Sequence, residues 1–224
     1  TKDRIFFGVG KGRFDEHKGD LEDCATSLVW KEIKAKKLSP KDQFELAAYE
    51  EFVKYSYLVD TAKLPSGDYD SYRLDSFIRS YADSKKDSLV TVELGCEILE
   101  RIMPKLIRRQ HGLAEWEKRI EFKSKFGKTV AVEGVDFSRN YAYSLGYNVV
   151  IQLSPEDHFI GITSPGTSDV DLTPIYAKLI KKEPDISWFL HHSHHMILCG
   201  AKSAPDVKRS RLTLKEVIDI VKSI

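Results

Sequence analysis

The sequence predicts an α/β protein made of two lobes that a helical connector joins. Apolar residues recur at helical spacing through most of the first half of the chain, whereas the segments after Gly127 are short and strand-like. The chain also opens on an apolar stretch, Ile5 to Val9, of the kind that forms buried strands. We therefore expect an N-terminal α/β lobe over residues 1–86, a helical connector over 87–126 and a smaller C-terminal α+β lobe over 127–224.

The composition narrows the class of protein. The 224 residues are 42% hydrophobic, enough for a core, and the formal net charge is only +1, so a long polyanion is not indicated as a constant partner. Three widely spaced cysteines suggest neither a disulfide framework nor a metal knuckle and favour a reducing cytoplasm. No apolar run approaches the roughly 18 residues of a membrane span. We expect a soluble cytoplasmic protein without a membrane partner.

The N-terminal elements follow from local signals. Ile5 to Val9 reads as a buried parallel strand that ends in glycine-rich turns, as in a lobe that lacks its first βα unit. "EDCATSLVWKEIKAKK" has helical spacing, and its closing lysines suit a helix C-terminus. Ser39 and Pro40 predict the N-cap and first turn of the next helix. "SYRLDSFIRSYAD" predicts a short helix.

The remaining elements divide into one long helix and a run of strands. From Asp87 to about Phe126 an apolar stripe predicts a helix that Pro104 should kink. "TVAVEGV", "GYNVVIQL", "FIGITS", "DISWFLHH" and "HMILCG" predict strands. A helix should start at Thr173-Pro174 and run through Lys182, and the Thr213/Glu216 capping box predicts the last helix.

Asp15, Glu16 and His17 are the most specific candidate site. They follow a glycine-rich strand end, where open α/β sheets gather ligands, and carboxylate and imidazole groups bind divalent ions. The alternative interpretation is solvated charge on a surface turn.

The surrounding stretch, "FDEHKGDLEDCATSLVWKE", resembles the third motif of the DHH phosphoesterase superfamily. It is most similar to the branch that contains the melanocyte-proliferating-gene proteins and their bacterial relatives. The resemblance implies a DHH-like parallel-sheet lobe that binds Mn²⁺ ions, and a DHH-associated-like lobe that closes over the substrate phosphate. The two-lobe organisation matches this pattern over most of the chain.

The resemblance also implies roles for particular residues. Asp15 and His17 match the first and last letters of the motif and would be catalytic, with Glu16 in place of the middle histidine. Asp60 falls where the superfamily offers another metal-binding aspartate, although a helix-end aspartate explains it equally well. These four residues would hold Mn²⁺ or Mg²⁺, as one or two ions. The sequence departs from the pattern at Gly8, where an aspartate is expected, and in lacking the first motif.

"WFLHHSHHMILCG" places four histidines within five positions. If this segment were helical, His191 and His195 would have a zinc-binding spacing. The resemblance implies a phosphate-binding loop instead, with His191, Ser193, His194 and His195 as donors. Metal ligation and a surface or packing cluster remain open as alternatives. Arg209, in the basic run from Lys202 to Arg211, would attract an anionic substrate.

The resemblance and the residues together predict a metal-dependent phosphoester hydrolase. Its partner would be a small phosphorylated substrate, a nucleotide or short oligonucleotide, and homodimerisation is compatible with the pattern. The alternative is a non-catalytic two-lobe relative that binds a phosphorylated ligand or a protein partner.

Overall fold

The computed structural model describes residues 5–17, 22–68, 70–84, 88–201 and 203–224. The chain divides into two compact units, Thr1–Gln110 and His111–Ile224, and each is described by itself. Taken together the elements form a mixed α/β protein, which confirms the predicted class at this coarse level. None of the helices in the described part of the chain is long and apolar enough to cross a membrane.

The described part of unit 1 is helical. Its helices are α1 (Ala25–Ala35), α2 (Gln43–Asp60), a 3₁₀ turn (Asp70–Tyr72), α3 (Leu74–Ser84) and the first part of α4 (Ser88–Trp116). Helices α1 and α2 pack through Trp30, whose ring stacks on Tyr49 at a centroid distance of 5.6 Å. The Glu51 carboxylate on α2 accepts hydrogen bonds from Arg109 and Gln110 near the end of this unit.

The predicted strand at the start of the chain is wrong. Side chains from Ile5 to Val9 are largely exposed, and among the described residues this segment pairs only through a single parallel bridge between Phe7 and Phe14. Gly8 and Gly10 have φ values of +65° and +77°, which turn the backbone away from a strand path. The described residues of unit 1 therefore contain no parallel sheet, and the regular elements in the described part of residues 1–86 are helices.

Two predicted boundaries also move. Helix α2 begins at Gln43, because the Asp42 carboxylate, not Ser39, accepts the amides of Phe44 and Glu45 and acts as the N-cap. Helix α4 continues past Pro104 but ends at Trp116, so the predicted helical connector over 87–126 is too long at its end. Its predicted start at Asp87 lies outside the described residues.

Unit 2 is built on a six-stranded sheet. The strands are β1 (Ile120–Ser124), β2 (Gly127–Glu133), β3 (Val149–Ser154), β4 (Phe159–Thr163), β5 (Phe189–Leu190) and β6 (Met196–Cys199). Their order is β1-β2-β3-β4-β6-β5. Strands β2 and β3 are parallel, with helix α5 (Arg139–Ser144) in their crossover, and the other pairs are antiparallel.

Both faces of this sheet are covered. Ile151 and Leu153 of β3 belong to a core that includes residues of helices α6 (Thr173–Lys182) and α7 (Leu214–Lys222). Val150, which points to the opposite face, packs in a second cluster with Trp116 from the end of α4. Burying each such aliphatic side chain contributes about 1.5–3 kcal/mol. The alternation along β3 therefore places helices on both sides of the sheet.

The pairing register defines two ends of the sheet. Ser154 of β3 pairs with Phe159 of β4, and Ile160 pairs with Cys199 of β6, so these residues share the end at which β2 and β3 finish. We call this the carboxyl end. Thr163 pairs with Met196 at the opposite end, which we call the amino end. The two ends carry different groups of polar residues.

Candidate functional site

Asp15, Glu16 and His17 form a turn at the end of the N-terminal segment in unit 1. The Asp15 carboxylate closes this turn, because it accepts the amide of Lys11 at 2.5 Å and that of His17 at 3.0 Å. The His17 Nδ1 atom lies 3.5 Å from Glu16 Oε1 and 3.9 Å from Asp15 Oδ1. One potential ligand atom from each residue lies within 4.8 Å of the other two. Three side chains next to each other in sequence thus offer two carboxylates and an imidazole to one point.

Glu16 carries the clearest sign of a missing partner. Its Oε2 atom is buried and has no hydrogen-bond partner among the described residues, and its side chain is only 12% exposed. A buried carboxylate oxygen without a partner is unfavourable unless the charge is neutralised. A divalent cation would provide that partner, and carboxylate oxygens are ligands that Mn²⁺ and Mg²⁺ favour. The three residues therefore fit a single cation.

Gly8 lies beside this group. A Cβ atom added to Gly8 would be 3.6 Å from Glu16 Oε1, which is ordinary van der Waals contact. The position where the superfamily pattern expects an aspartate is thus next to the cluster, but here it carries no side chain. The φ of +65° would also strain any residue other than glycine. The described structure offers no bridging carboxylate at this point for a second ion.

Asp60 is not part of the cluster. It is the last residue of α2 and is exposed, and none of its atoms belongs to the described group of potential ligands around Glu16. The structure supports its interpretation as a helix-end aspartate and does not bring it to the metal site expected from the sequence.

The four histidines lie in the turn of the β5–β6 hairpin in unit 2. The turn closes through two backbone hydrogen bonds of 2.8 Å, from His191 N to Met196 O and from His194 N to His191 O. His194 has a φ of +61°, the left-handed conformation that such a turn requires. The segment is therefore not helical, and the helical zinc-binding spacing of His191 and His195 does not occur. Among the described residues the histidines do not form a group of three potential ligands.

Backbone donors fix the tautomer of His191. The amide of Ser193 donates to His191 Nδ1 at 3.2 Å, and the Ser193 hydroxyl lies 2.7 Å from the same atom. Because an amide can only donate, neutral His191 carries its proton on Nε2. The exposed turn thus presents an imidazole N–H donor.

His194 and His195 contact hydroxyl groups at the two ends of the β4–α6 loop, Ser164 just after β4 and Thr173 at the first residue of α6. His194 Nδ1 lies 3.2 Å from the Thr173 hydroxyl and 3.4 Å from an Asp171 carboxylate oxygen. Hydrogen bonds from Thr173, followed by the electrostatic interaction with His194, hold the pKa of Asp171 below its usual range. His195 Nδ1 lies 3.1 Å from the Ser164 hydroxyl, and Ser164 N donates to His195 O at 2.9 Å. Backbone and side-chain bonds therefore join this loop to the histidine turn.

The cation near the histidine turn is Arg139, not Arg209. Arg139 Nη1 lies 3.7 Å from the sulfur of Met196, the residue directly after the turn. Arg209 donates to the carbonyl of Asp157, in the β3–β4 connection at the carboxyl end of the sheet. The structure therefore does not bring Arg209 to the predicted phosphate loop, and Lys202 of the same basic run lies outside the described residues. The sequence did not single out Arg139, Ser164 or Thr173, since only strand pairing brings them to the turn.

Comparisons of the chain with models of known protein families, with curated proteins and with solved structures gave no match. The resemblance to the DHH superfamily stays a prediction from the sequence motifs.

Proposed function

We propose that this protein is a metal-dependent phosphoester hydrolase that holds one Mn²⁺ or Mg²⁺ ion at Asp15, Glu16 and His17. The observation that carries the proposal is the buried, unpartnered Oε2 atom of Glu16 within the three-residue group. A divalent cation, when bound, supplies Lewis-acid chemistry for this reaction by neutralising the charge that develops on phosphoryl oxygens. The proposed substrate is a nucleotide or a short oligonucleotide.

The three residues have different tasks in this proposal. Asp15 orients the turn through the amides that its carboxylate accepts, and so fixes the direction of Glu16. Glu16 contributes the negative charge that has no other partner. His17, whose side chain is 72% exposed, is the member of the group that solvent and substrate reach, and its imidazole is suited to holding a proton.

We propose separately that the histidine turn of unit 2 binds a phosphate group. The proposal is supported there by the Nε2 proton of His191, by the neighbouring hydroxyls of Ser164 and Thr173, and by Arg139. N–H, O–H and guanidinium groups are the donors that phosphate oxygens accept.

The metal site is tested with Glu16→Gln. This variant keeps the shape of the side chain and the Asp15 turn but removes the unpaired charge. Mn²⁺ should raise the melting temperature of the wild type, because an ion at about 100 times its Kd stabilises the folded state by about 2.7 kcal/mol. Glu16→Gln should lose most of that shift together with Mn²⁺-dependent hydrolysis of a chromogenic phosphodiester. Asp60→Asn is the matched control and should retain both.

Asp15→Asn is a poorer test, because it also changes the turn. An amide side chain has only one acceptor oxygen, whereas the Asp15 carboxylate uses both oxygens for backbone amides. Loss of the Mn²⁺ shift in Asp60→Asn but not in Glu16→Gln would contradict the proposed site. A Mn²⁺-induced rise in the melting temperature of the wild type without hydrolysis would support a metal-binding protein and contradict the hydrolase.

A second candidate function is binding of a phosphorylated ligand without catalysis. It is favoured by the histidine turn, whose donors need no metal. Titration with inorganic phosphate would detect it, with His191→Ala weakening the binding and Glu16→Gln leaving it unchanged.

A further inference from the structure

A cavity lies at the carboxyl end of the sheet in unit 2, away from the histidine turn. Its volume is about 270 Å³, and its walls include Phe137, Gln152, Ser154, Phe159 and Ala201. Crevices outside the carboxyl ends of parallel strands, here β2 and β3, are the usual ligand sites of α/β sheets. The volume is just below the roughly 300–1,000 Å³ of pockets for drug-sized ligands, so the cavity suits one small ring system.

One wall of the cavity is held rigidly. The Glu115 carboxylate near the end of α4 accepts the amides of Val135 and Asp136, at 2.9 and 3.1 Å for the shorter contacts. Gly112, one turn earlier, is so close to this loop that an added Cβ would be 2.4 Å from Asp136 O. The ring of Phe137 stacks on Trp116 at 5.2 Å. The loop is therefore fixed before any ligand arrives, which lowers the entropic cost of binding.

The side-chain amide of Gln152 is oriented so that it can only accept a hydrogen bond from a ligand. Its Nε2 atom donates to the carbonyls of Gly134 and Phe137, at 3.2 and 3.4 Å. Because both partners are carbonyl oxygens, the amide cannot be turned around without losing these bonds. The Gln152 Oε1 atom has no hydrogen-bond partner within the described residues. It is also not buried, so a ligand can reach it. It remains as an acceptor at the cavity.

Ser154 supplies a donor on the same face of β3. Residues two apart on a strand point the same way, so Gln152 and Ser154 both reach this side of the sheet. Ser154 is buried, and its oxygen accepts a long hydrogen bond of 3.5 Å from Asp157 N. Its proton has no acceptor among the described residues and can be donated to a ligand. The cavity thus offers one acceptor and one donor side by side.

The ring of Phe159 provides a flat surface. Residue 161 is glycine, and a Cβ atom there would be 3.0 Å from Phe159 Cζ, so the ring lies over Gly161. An aromatic face of this kind stacks with planar heterocycles.

We propose that this cavity binds a single-ring lactam of the uracil type. The ring N–H would donate to Gln152 Oε1, the adjacent C=O would accept from the Ser154 hydroxyl, and the ring would stack on Phe159. A uracil that is methylated at its ring N–H lacks the donor and so does not match. The site is independent of the proposed hydrolase, because the ligand needs neither a metal nor a phosphate.

The test is a titration with the nucleosides uridine and N3-methyluridine in metal-free buffer, followed by ligand-observed NMR on the full chain. We expect uridine to bind at least about tenfold more tightly than N3-methyluridine, a difference of about 1.4 kcal/mol, because the methyl group replaces the N–H that donates to Gln152. Ser154→Ala should weaken uridine binding about tenfold, and Ala201→Leu, which fills the cavity, should abolish it. Ser144→Ala, at an exposed residue of α5 that does not line the cavity, is the matched control and should bind uridine as the wild type does.

Three results would overturn the proposal. These are no uridine binding at millimolar concentration, equal binding of uridine and N3-methyluridine, and binding that survives Ala201→Leu in a protein whose circular dichroism is unchanged. Loss of Mn²⁺-dependent hydrolysis in Glu16→Gln has no bearing on any of them, so failure of the hydrolase and failure of this site are separate outcomes.

Discussion

Helix α4 contains two glycines, Gly95 and Gly112, at which a change to alanine should have opposite effects on stability. A Cβ at Gly112 would lie 2.4 Å from Asp136 O, 2.8 Å from Asp136 C and 3.1 Å from Phe137 Cα. All three are backbone atoms that cannot rotate away, and carbon atoms pack at about 3.5–4.0 Å. A Cβ at Gly95, in the same helix, would meet nothing within 4 Å. The same change of glycine to alanine therefore causes a steric clash with backbone at Gly112 and no contact at Gly95.

The magnitudes follow from these distances. Forcing a methyl group into a packed site costs about 1–3 kcal/mol, whereas alanine is better than glycine in a helix by about 1 kcal/mol. Gly112→Ala should thus lose up to about 2 kcal/mol, and Gly95→Ala should gain about 0.5–1 kcal/mol. Each kcal/mol change in the free energy of unfolding shifts the melting temperature of a unit of about 110 residues by roughly 4 °C.

Scanning calorimetry measures both variants and would separate the two units if they unfold independently. A Gly112→Ala variant as stable as Gly95→Ala would refute the close packing of α4 on the 134–137 loop, and with it the rigid cavity wall.

Two further predictions concern single side chains. Cys96 is exposed and should react with a thiol reagent in the folded protein. Cys199 is buried, and burial raises the pKa of its thiol, so it should react only on unfolding. Equal reaction rates in a stopped-flow assay would contradict this difference. Hydrogen bonding and charge from Arg73, followed by the Tyr55 hydroxyl, lower the pKa of Asp75 from its ordinary 3.8. Its stabilisation should therefore be complete above pH 3.8 and fall as the pH drops through the folded-state pKa, so Asp75→Asn should flatten the acid side of a stability-versus-pH curve; an unchanged slope would contradict the ion pair.

The sequence predicted unit 2 more successfully than unit 1, and the reason is physical. β2, β3 and β4 are apolar runs buried on the sheet, α6 begins at its predicted Thr173, and the Thr213/Glu216 capping box is formed at α7. β1 was missed because its five residues, "IEFKS", follow the long helical pattern and are recognisable as a strand only through pairing with β2. Near the N-terminus, apolar residues were taken for a strand although closely spaced glycines bend the backbone there.

The candidate site was predictable only where its residues are neighbours in sequence. Asp15, Glu16 and His17 meet because they share one turn. Arg139 reaches the histidine turn, and Arg209 lies at the other end of the sheet, through strand order and register. No local pattern encodes that distinction.

The central claim is that Glu16 holds a divalent cation together with its two neighbours. The most direct measurement is calorimetric titration of the full chain with Mn²⁺, with stoichiometry and affinity as the readouts. We expect one ion per chain in the wild type and in Asp60→Asn, and at least about tenfold weaker binding, or about 1.4 kcal/mol, in Glu16→Gln. Unchanged binding in Glu16→Gln would contradict a metal site at Glu16, and binding lost in His191→Ala would assign the metal to the histidine turn.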